Sequence, residues 1–309
     1  MLSRTHSTFQ LTLVLVGLCF FGSMFITNDV SLLTFVPFTF VVLSRLGADV
    51  RRSLLIPVVC MQTIAANLGS MLTPIGNPQN LYLYGKSGMS IGGFVLLMLP
   101  YTLVSLLLLL AWAALVCRKA SAALSVDELV SSSASQGDQR IILLYLVLFA
   151  VCLLSVIRVL PYGIAFSAVL VCALFADPRT LRTVDYSLLL TFVAFFIFIG
   201  NLGRIPAFSG WLREFLTGRE VLVAVLASQV TSNVPAALLL SGFTAETQAL
   251  IIGTNLGGLG TLIASMASLI SYRQIVRDLP QGKKQYFGLF TLSNLIFLAL
   301  LLGVWFLLR

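Results

Sequence analysis

The chain has 309 residues, 59% hydrophobic and only 10% charged, with 19 Lys and Arg against 11 Asp and Glu and a net charge of +8. So little charge cannot cover a water-soluble globule of this length, and the apolar surface has to face lipid. On a soluble protein +8 would suggest nucleic acid; here the basic residues sit in short clusters between apolar runs, where they bias membrane insertion, and no nucleic-acid partner is expected.

Enzymatic chemistry has no foothold. The only histidine is His6, and there is no P-loop, nucleophile elbow or metal-ligand cluster, so neither an enzyme nor a cofactor is expected. The five cysteines, Cys19, Cys60, Cys117, Cys152 and Cys172, stand singly inside apolar runs and suit reduced, small packing residues.

In chain order, Arg4 precedes an apolar run from Leu11 that carries no small-residue cleavage pattern, so the start is taken as structure rather than a signal. Residues 11–44 form one apolar stretch interrupted at Thr27-Asn28-Asp29; its second limb is short for a span, which predicts a re-entrant hairpin turning at Asn28. Apolar runs 53–85 and 87–117 follow, then the serine-rich polar stretch 118–140, predicted as a linker. Beyond it come apolar runs 141–157, 159–176 and 186–203, and an amphipathic segment, 204–220, suited to the interface. A second hairpin, 221–243, is predicted to turn at Asn233, ahead of runs 247–272 and 285–308.

Across the linker the chain resembles itself. Residues 67–84 (NLGSMLTPIGNPQNLYLY) align without gaps onto 255–272 (NLGGLGTLIASMASLISY), and the Thr27-Asn28 and Ser232-Asn233 breaks precede them in the same order. Duplication with polar breaks inside apolar segments is the sequence sign of secondary transporters. The predicted domains are a first transport repeat, 1–117, a cytoplasmic linker, 118–140, and a second repeat, 141–309. With both hairpins re-entrant, Lys86, Arg158, Arg204, Arg213, Arg219 and Arg309 fall on one side and the other basic residues opposite, which makes the second side cytoplasmic and the repeats inverted. Two short full crossings preserve the same sidedness. The predicted fold class is therefore all-α: a polytopic membrane protein with inverted repeats, two re-entrant hairpins and two broken helices.

Non-helical peptide at membrane depth survives only where protein or a water-filled cavity supplies partners, so the breaks locate the site. The candidates are Thr27, Asn28 and Asp29; Asn67, Thr73, Gly76 and Asn77; Ser232 and Asn233; and Asn255, Gly257, Gly258 and Thr261. Their amide, hydroxyl and freed carbonyl oxygens suit a hard cation such as sodium, above all at Asn28 and Asn233, while half-helix N-termini suit an anion. The glycines alone would fit close helix packing equally well. Asn80, Gln62 and Gln229 are expected to make interhelical hydrogen bonds ahead of ligand contacts. Asp29, a carboxylate deep in an apolar region, is expected to bind sodium, carry a proton, or cap the following half-helix.

The segments TNDVSLLTFVPF (27–38), NLGSMLTPIGNPQNLYLYGKSGMS (67–90), SQVTSNVPAALLL (228–240) and NLGGLGTLIAS (255–265) resemble the ion-transporter superfamily of divalent-anion:sodium symporters, citrate carriers and arsenite permeases. They are most similar to uncharacterised bacterial anion permeases of its arsenite-permease-like branch. The resemblance implies sodium sites at the Asn-containing tips and a homodimer with elevator-like movement. Asn28, Asn233, Ser232 and Thr27 match the family's tip residues. Asp29 and Val234 stand where dicarboxylate symporters carry threonine, which moves the reading toward the arsenite-permease or cation-antiporter side. The first repeat lacks counterparts of the three helices that lead the second. The expected function is ion-coupled transport, with sodium or protons, of a small anion across the cell (inner) membrane. The alternatives are a sodium/proton antiporter using Asp29, or a non-transporting truncated subunit.

Overall fold

The computed structural model of the chain describes residues 7–118, 139–184 and 186–309; the expected linker falls almost wholly outside them. The described residues hold fifteen α-helices and no strand. Five helices are long and apolar enough to cross a membrane, six if one bent pair counts as a single span. The protein is an all-α polytopic membrane protein.

Two compact units emerge, one of Met1–Val130 with Phe198–Arg309, the other Ser131–Ile197. This division by packing differs from the division by sequence repeat. The smaller unit holds α6 (Gln139–Val156), α7 (Tyr162–Ala176), α8 (Pro178–Thr183) and most of α9 (Tyr186–Leu202). In it Tyr145 and Thr180 donate to the Asp177 carboxylate (2.9 and 2.7 Å), and these bonds, Thr180 first, hold that carboxyl below its usual range.

In the larger unit α1 (Thr8–Ile26) and α2 (Asn28–Ser44) form the first hairpin and pack on α3 (Ala48–Ser70), which is almost wholly buried over its last two-thirds. Gln62 of α3 explains how three apolar helices are held in register: its amide donates to Leu15 O of α1 (3.1 Å) and Thr39 Oγ1 of α2 (2.8 Å). As expected, Gln62 bonds between helices. After a break, α4 (Pro78–Ser87) continues with proline in its first turn, where a missing N–H costs little, and α5 (Ile91–Arg118) follows.

The rest of this unit is α10 (Pro206–Leu216), α11 (Glu220–Thr231), α12 (Asn233–Leu240), α13 (Thr247–Leu256), α14 (Met266–Asp278) and α15 (Lys283–Leu308). The amphipathic segment is α10, which buries Leu212 and Leu216 and leaves Trp211 and Phe215 stacked at 5.6 Å on its exposed side. The two halves interlock. Helix α14 packs on α2 and α3, and α4 packs on α12 and α13. Tyr82 of α4 bonds Ser241 Oγ just beyond α12 (2.9 Å), and Lys86 donates to the Ser241 carbonyl.

Candidate functional site

Each hairpin turns on a single residue. Thr27 (φ 69°, ψ 155°) separates α1 from α2, and Ser232 (φ 73°, ψ 154°) separates α11 from α12. That region is nearly glycine-only, and holding a non-glycine residue there costs on the order of 1–3 kcal/mol, so the surrounding structure must impose it. It does so identically in both halves. The N–H of Asn28 donates to Gly76 O (3.1 Å) and that of Asn233 to Ala264 O (2.9 Å), so each tip is bonded to the break of its own broken helix. Thr73 Oγ1 donates to Met24 O (2.5 Å), and Thr261 Oγ1 to Gln229 O (3.1 Å). A Cβ on Gly69 would lie 2.7 Å from Ser23 Oγ; one on Gly257 would lie 2.6 Å from Ser228 Oγ. Every partner in the first half maps onto its counterpart in the second, with tips offset by one register and breaks by the register of the 67–84 and 255–272 match.

The breaks meet through amides. Asn67 Oδ1, at the end of α3, accepts from Asn28 Nδ2 (3.1 Å) and from Ser265 Oγ at the start of α14 (2.9 Å). Asn255 Nδ2, at the end of α13, donates to Asn80 Oδ1 in α4 (2.6 Å) and to Ile251 O (2.7 Å). The carbonyl of Ile251 fixes the amide's orientation, since a flipped Asn255 would set oxygen against oxygen. One buried cluster therefore joins Asn28, Asn67 and Ser265 to one tip and both breaks, and pairs Asn255 with Asn80.

Within and around it several buried polar atoms lack a protein partner. They include the acceptors Asp29 Oδ1, Asn77 Oδ1 and Asn255 Oδ1, the donor Asn67 Nδ2, and both ends of the Gln79 amide. An unpaired buried polar atom costs about 1–3 kcal/mol, so each calls for a ligand or water. Asn77 donates to Ser70 Oγ (2.7 Å) and leaves its oxygen open. Asn28 Oδ1 accepts from Asp29 N (2.9 Å), and Thr27 Oγ1 faces Val30 N at 3.5 Å. No Lys or Arg lies among these residues. At the starts of α4 and α14, Asn77 and Ser265 make no side-chain cap bond, so the first-turn N–H groups there have no side-chain acceptor; the Ser268 N–H bonds Ser265 O (3.1 Å).

The expected residues divide accordingly. Asn28, Asn67, Asn77, Asn233 and Asn255 are buried at the tips and breaks. Thr73 and Thr261 tie the breaks to the hairpins, and Thr261 is solvent-exposed. The Ser232 hydroxyl has only long contacts, 3.4 Å to Ala264 O and Asn233 Oδ1. Gly76 supplies the carbonyl that holds Asn28, Gly257 lets the second break close on Ser228, and Gly258 lies beside the Asn233 amide. Sequence reasoning passed over Ser265 and Gln79. Ser265 was findable, because it aligns with Asn77; Gln79 aligns with Ala267 and had no such signal. No group of three or more His, Cys, Asp or Glu is gathered among the described residues, so a cation here would rest on amide, hydroxyl and carbonyl oxygens with one carboxylate.

A citrate transporter family model matches residues 1–250. The chain is 35% identical over 259 residues to the inner membrane protein YbiR of Escherichia coli, covering 81% of this chain and 66% of that protein. It is 31% identical over 264 residues to the uncharacterized transporter MJ0456 of Methanocaldococcus jannaschii, covering 85% and 70%. A 46 kDa membrane protein of Mycobacterium leprae is 24% identical over 307 residues. The chain thus spans about two-thirds of the length of YbiR. The family match takes in both hairpin tips and the first break: the chain belongs to the citrate transporter family, a family of multi-pass membrane transporters rather than enzymes.

Proposed function

We propose that this protein is an ion-coupled secondary transporter of a small anion in the cell (inner) membrane, with its binding site at the two hairpin tips and two helix breaks. The observation that carries the reading is the buried amide cluster centred on Asn67 and Asn255, with acceptor oxygens left open beside helix N-termini that no side chain caps. Depth supports it. From the breaks, α4 runs 10 residues and α14 runs 13, or ~15 and ~20 Å, so if they run to opposite faces the cluster sits near the middle of a ~30 Å hydrocarbon core. With both hairpins re-entrant, the sidedness of the basic residues supports opposite faces for the ends of α4 and α14, as two inverted repeats, 1–117 and 141–309, require.

The chemistry orders the steps. In a dry site the open oxygens of Asn77, Asn255 and Asp29 oppose an anion, and a sodium ion or proton relieves them. Once the cation is bound, its charge adds to the N-terminal dipoles of α4 and α14, and the site becomes attractive to an anion that no Lys or Arg would otherwise hold. Coupling is then reciprocal: sodium tightens anion binding by the factor with which the anion tightens sodium. A homodimer is the assembly this reading implies.

The test is a thermal-shift screen of purified protein against citrate, succinate, sulfate and arsenite, each with and without sodium. Asn28→Ala and Asn233→Ala are each expected to abolish sodium-dependent stabilisation; wild-type behaviour in both sinks the reading. The open Asp29 oxygen favours a second one, sodium/proton antiport through that carboxylate. Asp29→Asn that leaves gradient dependence unaltered removes it.

A further inference from the structure

The fold contains two depressions of nearly equal size at corresponding places. One, of about 490 Å³, lies where the α4–α5 turn (Ser87, Ser90) meets the start of α13 (Thr247, Gln248), and no charged residue lines it. The other, of about 480 Å³, lies where the α2–α3 turn (Ser44) and the first turns of α3 (Arg51, Arg52) meet the α14–α15 connection (Gln281, Gln285). The first is an internal control: the architecture forms such a pocket without any charge, so the two guanidinium groups are not there to build it. Insertion bias does not need them in a pocket either, since Arg273, Arg277, Lys283 and Lys284 lie outside its lining and supply charge in the same part of the chain.

Two further observations specify what is missing. Helices α3 and α15 both start at this depression, capped by Gly47 and Gly282 with no side-chain cap bond; the N–H of Lys283 is taken by the Pro280 carbonyl, and the other first-turn N–H groups have no side-chain acceptor there. Basic residues crowd those same starts, Arg51 and Arg52 on α3, Lys283 and Lys284 on α15. That is the wrong sign for a helix N-terminus unless an anion lies between. Asp49 offsets part of this on α3, and α15 has no acid in its first turn. Among the described residues neither the Arg51 nor the Arg52 side chain has an ion pair or hydrogen bond; the ion pair among them, Arg277 with Asp278, lies outside the pocket lining.

We propose that this pocket binds the phosphate of an anionic lipid headgroup, with Arg51 and Arg52 as its ligands and the N-termini of α3 and α15 completing the cradle. A lipid rather than a soluble phosphate is favoured by the surroundings. Leu55 and Ile56 floor the pocket but are themselves buried; the apolar surface suited to acyl chains is on the adjoining α2, which exposes Leu33, Phe38 and Val41. The bound lipid would fasten the base of the first hairpin to the start of the last helix. This site does not rest on the transport reading.

The full chain in neutral detergent, with phosphatidylglycerol, phosphatidylcholine or inorganic phosphate added, tests this by native mass spectrometry and thermal shift. Wild type is expected to retain phosphatidylglycerol and be stabilised by it. Arg51→Gln/Arg52→Gln should weaken that binding by about tenfold, as loss of charge-assisted phosphate contacts implies. Arg51→Lys/Arg52→Lys should restore part of it, and Arg219→Gln, remote from the pocket in sequence and lining, should leave it unchanged. Equal stabilisation by inorganic phosphate, or by phosphatidylcholine, overturns a lipid-anion site, and so does retention of phosphatidylglycerol by the double Gln variant at wild-type strength. A C-terminal topology reporter that flips in the double Gln variant assigns the arginines to insertion and also overturns the proposal.

Discussion

The two hairpin tips share one backbone and differ in what they carry. Thr27 and Ser232 adopt the same strained conformation, and the residue after each bonds the same carbonyl position of a break. Yet the first tip hangs from helices of 19 and 17 residues and the second from helices of 12 and 8. The first is closed by an amide pair, Asn28 to Asn67, and carries Asp29. At the second, Asn255 Oδ1 stays open, Val234 replaces the carboxylate, and Gln229 clamps the break instead. The framework is held constant by backbone contacts, which side-chain changes leave alone, so each half is free to take different side chains at its tip.

The largest effect is expected where that framework has no slack. A Cβ on Gly69 would fall 2.0 Å from the carbonyl oxygen of Phe20, backbone that cannot yield without separating α3 from α1. Gly69→Ala should destabilise by about 3 kcal/mol or more, or abolish folding, in thermal unfolding of purified protein. At the counterpart, Gly257, the nearest atom is the Ser228 hydroxyl at 2.6 Å. That hydroxyl can turn away, and the Gly253 carbonyl oxygen and Ser228 Cβ stand at 2.8 Å rather than 2.0 Å, so Gly257→Ala should cost less than Gly69→Ala while still destabilising, and Gly257→Ala with Ser228→Ala should recover only the hydroxyl's share. Equal losses for the two glycines would mean that the first half is no more rigid than the second.

Next come the amides. Asn67→Ala strips the shared acceptor from Asn28 and Ser265 together, leaving two buried donors, and should cost about 2 kcal/mol in thermal unfolding. Asn255→Ala removes an oxygen that is already unpaired and leaves only Asn80 in need, so about 1 kcal/mol is expected. The ranking reverses for ligand: Asn255→Ala should lose more sodium-dependent stabilisation than Asn67→Ala, because its oxygen is the free one. Gln229→Ala, which frees Gly257 O, Leu259 O and the Thr261 N–H, should raise amide hydrogen exchange across 257–261; Met24→Ala, at the matching place, should leave 69–76 protected.

How much of this was legible follows from the medium. Asn, Ser and Thr inside uncharged runs are conspicuous because lipid excludes unpaired polar groups, and so Asn28, Asn67, Asn233 and Asn255 could be read directly. What a residue bonds could not. Gln229 and Gln62 look alike in sequence, yet one clamps an irregular loop and the other pins three helices. Gln79 is buried with neither end paired, a fact of packing that no spacing encodes. The separateness of Ser131–Ile197 was also illegible. Its far boundary falls between Ile197 and Phe198, in an unbroken apolar run inside the helix α9, and compactness is a property of contacts that the repeat pattern does not carry.

Asp29→Asn should have the smallest effect on stability and the clearest effect on function. In the first turn of α2 the carboxylate gains from the helix dipole, about 0.3–1 kcal/mol, but it is half-buried with one oxygen unpaired, which costs hydration. The amide keeps the shape and removes both terms, so unfolding should shift by no more than about 0.5 kcal/mol, within the usual range for a change that leaves packing alone. Transport should respond differently. If the first tip handles a proton through this group, Asp29→Asn flattens the pH dependence of uptake while sodium still stabilises the protein through the second tip. If both responses survive unchanged, the carboxylate only complements the dipole of α2, and the two tips differ in helix length and amide pairing but not in ion handling.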